Sequence, residues 1–183
     1  MNLSPKYTLD DWNAALAGTP DWSKAIDIVE DRIAGRWLRW IDKIVDDQYS
    51  GFAVLALDCM VLESLWGFIN GRRVPGAGEC VYRDMLTSTP FGWSVDQSDS
   101  FRKFIRNGLM HDAETRGGWI VERTIPKDTI VTQNPGGKYV INRTTFHETL
   151  KAIIKAWIRK LRSGDTNLLE KVKLRMDGII DKS

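Results

Sequence analysis

The chain has 183 residues, a net charge of +2, eight Trp, two Cys and two His. That length suits one domain, residues 1–183, with a sizeable core. Neither its charge nor its Pro and Gly content points to general disorder. The scarcity and spacing of Cys and His argue against a zinc site, and +2 alone says nothing about nucleic acid.

The charge is unevenly spread. Residues 1–70 carry net −5, residues 71–142 net +2 and residues 143–183 net +5. A basic tail can meet a polyanion, the acidic front of its own chain, or the front of a second copy. The first 21 residues are polar and lack a signal-peptide pattern. No run is read as membrane-spanning, because Asp58 and Glu63 interrupt the apolar stretch that begins at Phe52. The expectation is a soluble cytoplasmic protein with reduced thiols, Cys59 buried in a helix.

In chain order, residues 8–17 read as a short helix capped by Thr8 and stopped by Gly18. Thr19-Pro20-Asp21 is a second helix start. Ile26, Val29, Ile33, Trp37, Trp40, Ile41 and Ile44 carry that helix toward Tyr49, with both Trp expected in the core. Phe52–Ile69 is apolar nearly all round, so it reads as a central helix. Its two acids need partners if buried; Glu63 either pairs with Arg106 or stands at the rim in water. Residues 72–78 read as a loop, 79–88 as a short helix and 89–92 as a turn.

The stretch 98–119 holds one helix with two unlike faces, capped by Asp96 or Ser98 and ended near Gly117-Gly118. Phe101, Phe104, Ile105, Gly108 and Leu109 form an apolar arc; Arg102, Lys103, Arg106 and Asn107 lie opposite. Met110 lies on the polar side and His111 at its edge, one turn from Asn107. Residues 119–124 and 138–142 read as strands, with a further one at 130–133, so 119–142 forms a β-hairpin or flap. Thr145 and Glu148 make a capping box for a helix within 145–182. Its Lys151, Lys155, Arg159 and Arg162 form a stripe that either tracks phosphates or is a solvated face. His147 is read as structural. Ser163-Gly164-Asp165 starts the last helix.

No P-loop, H-E-x-x-H, nucleophile elbow or Cys-x-x-Cys is present. What remains is Arg106-Asn107 with His111. Imidazole moves protons near neutral pH, and guanidinium binds phosphate bidentately. Together they suit RNA cleavage by an adjacent 2′-hydroxyl. One imidazole cannot easily serve both ends of an in-line displacement, but two copies of the patch across a twofold axis can. No metal and no cofactor are expected.

Arg106-Asn107-Gly108-Leu109-Met110-His111 resembles the R-x4–6-H motif of the HEPN superfamily (higher eukaryotes and prokaryotes nucleotide-binding). Residues 106–118 and Leu62-Glu63-Ser64-Leu65-Trp66-Gly67-Phe68-Ile69-Asn70-Gly71 look like its phage-defence-associated branch. The likeness covers about residues 22–116, and the last helices more loosely. It implies a mainly α, HEPN-like helical bundle, here with the small β-insertion, and a homodimer in which the motif helices face each other. It also implies metal-independent endoribonuclease activity, with Arg106 and His111 catalytic and Asn107 supporting. Arg102, Lys103, Lys151, Lys155 and Arg159 are candidate RNA contacts, and Glu63 is a support. The expected partners are RNA, a second copy and a cognate antitoxin or defence protein. The alternative is a HEPN module that binds RNA, nucleotide or protein without cutting.

Overall fold

The computed structural model describes residues 1–75, 78–88, 90–123 and 128–181. The sequence reading of Gly76, Ala77, Thr89, Thr124 and Lys182 falls outside them. The described chain is mainly α with one small sheet.

Helix α1 (Leu9–Leu16) starts as expected at Thr8, whose hydroxyl takes the Asp11 amide while Asp11 returns to the Thr8 amide. Helix α2 (Trp22–Ile33) starts at Asp21, not at Thr19-Pro20, because the Asp21 carboxylate takes the Lys24 amide at 3.0 Å. A π-helical turn, Ala34–Leu38, leads into α3 (Arg39–Ile44). This helix stops short of Tyr49, since the Ser50 hydroxyl folds back onto the carbonyls of Ile44 and Asp47. Trp37 is half-buried against the core, but Trp40 is exposed, contrary to expectation. Arg39 and Lys43 stack on its ring, so cations rather than core side chains cover it.

Helix α4 (Gly51–Asn70) is the axis of the fold: it touches α3 and the later helical segments Glu79–Thr87, Asn107–Asp112, Arg143–Arg162 and Thr166–Ile180. Here the sequence reading needs correcting. By length and composition α4 is long and apolar enough to cross a membrane, and its burial at the centre of the bundle accounts for that character. Gly71, at φ 65°, ends it in the left-handed conformation that suits Gly. Helices α5 (Glu79–Thr87) and α6 (Val95–Phe101) follow. Ser94, not Asp96 or Ser98, caps α6, in a reciprocal box with Gln97. A second π-helical turn, Arg102–Arg106, joins α6 to α7 (Asn107–Asp112).

Strands β1 (Ile120–Glu122), β2 (Val131–Gln133) and β3 (Tyr139–Asn142) form a sheet ordered β1-β3-β2. Strands β2 and β3 are the expected hairpin; β1 runs parallel to β3, with Val121 opposite Ile141. Helix α8 (Arg143–Arg162) follows β3 directly. The Asn142 side chain accepts from the Thr144 and Thr145 amides, both at 3.1 Å, and replaces the expected Thr145–Glu148 box. Helix α9 (Thr166–Ile180) starts at Asp165. An aromatic cluster ties these parts together. Phe101 stacks on Phe146 with centroids 5.4 Å apart, and Trp119 stacks on Tyr139 at 4.8 Å. The motif helix, the sheet and α8 therefore share one core, which fixes the motif's orientation.

Candidate active site

The motif helix splits as its sequence predicts. Phe101, Ile105, Gly108 and Leu109 are buried and Phe104 is half-buried; Lys103, Met110 and His111 are exposed. Arg106 and Asn107 are half-buried at the junction of the π turn and α7. A π turn inserts an extra residue, and so breaks the regular i→i−4 ladder. The Phe104 carbonyl accepts from the Arg116 amide, at 2.9 Å. Residues 113–119 therefore double back along the motif helix.

That return explains why the helix ends at Asp112 rather than at Gly117-Gly118. Ala113 takes the left-handed conformation, with φ 54°. A Cβ at Gly108 would lie 2.4 Å from the Glu114 carbonyl oxygen. Gly108 thus lets the return segment lie against the helix. Gly108→Ala is expected to cost about 1–3 kcal/mol through overpacking, read by urea denaturation. An unchanged midpoint would mean that the segment does not pack there.

Glu63 pairs with Arg106, the first of the two arrangements open at the sequence level. The Arg106 Nε donates to Glu63 Oε1 at 2.8 Å, and Nη2 lies 3.5 Å from Oε2. The buried Tyr82 hydroxyl donates to the same Oε1 at 2.9 Å. Arg106 Nη1 donates to the Asn107 side-chain oxygen at 3.2 Å. Burial works against the Arg106 charge, but Glu63 outweighs it and holds the pKa above its usual value. Burial likewise pushes the Tyr82 hydroxyl well up, so it stays a donor. The guanidinium is thus fixed from behind, and Asn107 lies beside it. Sequence reading missed Tyr82; its spacing among apolar neighbours marks it only as core.

The other acid of α4, Asp58, lies about 140° around the helix from Glu63 at 100° per residue. It receives His147 Nδ1 at 2.8 Å, both side chains being fully buried. His147 Nε2 lies 3.2 Å from Asp42. Burial alone would lower the His147 pKa; Asp58 and Asp42 together outweigh it and raise it. His147 is structural, as expected. The ligand atoms of Asp42, His147 and Glu148 lie within 4.8 Å of one another. The Lys151 ammonium, however, already bridges Asp42 at 2.6 Å and Glu148 at 3.0 Å, so the cluster holds its own cation.

The structure does not bring every candidate to one place. Arg102 and Lys103 share the motif helix with Arg106 and His111. Lys151, Lys155 and Arg159 lie on α8, on the Asp58 side of α4. Lys151 is engaged as above, and Arg162 pairs with Asp27 and Glu30, each at 2.7 Å. In this chain part of the basic tail thus meets the acidic front. A 650 Å³ cleft bounded by Asp46, Arg123, Thr145 and Glu148 contains none of the motif residues.

Beside the motif runs an uncharged strip of α4. Phe52, Ala53 and Met60 are exposed and Ala56 is half-exposed. With Glu63, these side chains fall within about 100° of one another around the helix. Comparison with protein families, with curated proteins and with solved structures gives no match. The functional reading therefore rests on the residues themselves.

Proposed function

We propose that the protein is a metal-independent endoribonuclease of HEPN type, a homodimer with a composite active site, serving as a toxin or defence effector. The observation that carries this reading is the patch itself: Arg106 clamped by Glu63 and Tyr82, Asn107 beside it, and His111 exposed one turn on. The apolar strip through Phe52, Ala56 and Met60 supports a second copy as the occupant of the adjoining surface, because it is uncharged and leads straight to Glu63. In such a dimer each protomer supplies one Arg106 and one His111.

The chemistry follows from the groups present. One imidazole takes the proton of the RNA 2′-hydroxyl, whose oxygen forms a bond to the adjacent phosphorus. The P–O bond to the 5′-oxygen breaks, and a second, protonated imidazole gives that oxygen its proton. The products are a 2′,3′-cyclic phosphate and a 5′-hydroxyl. The Arg106 pair stabilises the charge gathering on the phosphate oxygens.

Digestion of single-stranded RNA in EDTA is expected to yield those ends, and His111→Ala to lower the rate by about 10²–10⁴. Undiminished cleavage by His111→Ala would reject the assignment. One observation favours the alternative, a module that holds RNA, nucleotide or a partner protein without cutting. Glu63 already engages two nitrogens of the Arg106 guanidinium. Saturable RNA binding with no cleavage on long incubation would decide for it.

A further inference from the structure

Away from the motif helix, α3 holds a large aromatic ring in water. Trp40 is 47 % exposed, so much of its apolar area is left unburied. Two cations of the same helix flank the ring. The Arg39 guanidinium lies 4.8 Å and the Lys43 ammonium 4.3 Å from its centroid. Arg39 and Lys43 are themselves exposed and stand one turn apart. The three side chains form one stripe, an aromatic ring between two cations.

Arg39 also belongs to a second feature. It lines a cleft of 330 Å³ between the π turn Ala34–Leu38 and α8. The walls are apolar, from Ala34, Leu38, Ile154 and Ile158, and the exposed Lys155 lines it too.

Two acids line the same cleft, Glu30 and Asp42, and both are already matched. Glu30 takes Arg162 at 2.7 Å; Asp42 takes Lys151 at 2.6 Å and His147 at 3.2 Å. Asp47, four residues on from Lys43, turns its carboxylate to the Tyr49 amide at 2.8 Å. Among the described residues, no carboxylate forms an ion pair with Arg39, Lys43 or Lys155. The charge left over around the ring and the cleft is therefore positive.

We propose that this surface binds single-stranded nucleic acid: one base lies flat on Trp40, a neighbouring base enters the cleft, and phosphates meet Arg39, Lys43 and Lys155. Every base has a π face, so stacking on an exposed indole accepts any sequence. The apolar cleft walls suit the faces of a second base, and the Arg39 fork between the two matches phosphate oxygens. Lys43 has a flexible stem, so its ammonium can leave the ring to a base and move to a phosphate. A duplex keeps its bases stacked inside and offers none to Trp40. An acidic peptide would satisfy the cations but leave the ring and the cleft uncovered. The surface is built by α3 and α8, not by the motif helix, and does not rest on the ribonuclease reading.

The test is binding of a labelled oligothymidylate to the full chain, read by fluorescence anisotropy. This strand lacks the 2′-hydroxyl that the proposed cleavage requires, so the result stands whether or not the protein cuts RNA. Saturable binding at low salt is expected. Trp40→Ala should weaken it by about tenfold or more, and Trp40→Phe, which keeps a ring, by less. Arg39→Gln should weaken it and make the log–log salt dependence shallower by about 0.7. Lys138→Gln removes an exposed charge from the β2–β3 turn and should change affinity little. Trp40 and Arg39 are exposed, so these variants should keep the native circular dichroism. A DNA duplex of equal length and polyglutamate should both compete weakly. Equal affinity of the native and Trp40→Ala chains would overturn the proposal. So would competition by the duplex or by polyglutamate as strong as that of unlabelled single strand, or a loss with Lys138→Gln as large as with Arg39→Gln.

Discussion

Asp58→Ala is expected to lower the folding free energy by about 3 kcal/mol, the cost of leaving a buried charge without its partner. Asp58 and His147 are both fully buried, 2.8 Å apart, and join the central helix to α8. Among the described residues the Asp58 Oδ2 has no hydrogen-bond partner, so His147 is the group that holds this carboxylate. After the substitution His147 keeps Asp42 and can shed its proton, which keeps the loss near the low end for a broken buried pair. Replacing both partners with Leu should recover much of the stability, because no charge then remains to be solvated. Equilibrium urea unfolding of the two single variants and the double variant measures the coupling. A cost below about 1 kcal/mol for Asp58→Ala would show that the pair does not hold the helices together.

The same pair predicts a pH dependence. The folded His147 pKa is raised above its unfolded value of 6.5. Below pH 6.5 both states hold the proton, and the contribution is complete. Above it the unfolded chain releases the proton while the folded chain keeps it. Stability therefore falls as pH rises, until the folded pKa is passed. Native protein should lose stability from about pH 6.5 upward, and His147→Leu should flatten that slope. A native slope of the opposite sign across this window would contradict the assignment of an imidazolium here.

The second large effect concerns cleavage. On the ribonuclease function proposed above, Arg106→Ala is expected to slow RNA cleavage by about 10²–10³, the usual loss when one oriented donor to a developing anion is removed. Arg106→Lys should not restore the rate, since a point charge cannot reproduce the fork that Glu63 and Asn107 hold in plane. Glu63→Gln and Tyr82→Phe touch the clamp rather than the phosphate. They should lower kcat by less than Arg106→Ala does, with the fold retained by circular dichroism. If Arg106→Ala cuts as fast as the native chain, the guanidinium has no part in the reaction.

Individual residues show why some features were legible in the sequence and others were not. The apolar arc of the motif helix and the Thr8 cap are local patterns, set by side-chain spacing along one segment. The start of α8 was misread because Thr145 and Glu148 fit a capping box in isolation. The Asn142 side chain, arriving from β3, reaches the free amides first. Trp40 looked like core because its spacing matched the buried face, yet the π turn at Ala34–Leu38 lies just before it and changes the phase of the helix. The motif helix was read as running on to its glycines. Its true end depends on the approach of Glu114 to Gly108, which no spacing rule contains.

By itself, the sequence determined the helical class, the burial of α4, the two faces of the motif helix and the spacing of Arg106, Asn107 and His111 along it. These follow from periodicity and need no distant contact. Only the tertiary structure decided which acid meets which base. Glu63 and Asp58 sit five residues apart on one helix, but the turn of that helix sends one to Arg106 and the other to His147. The same packing sets Lys151 against Asp42. Charge pairing depends on distances between segments far apart in the chain, and those distances exist only once the helices have packed.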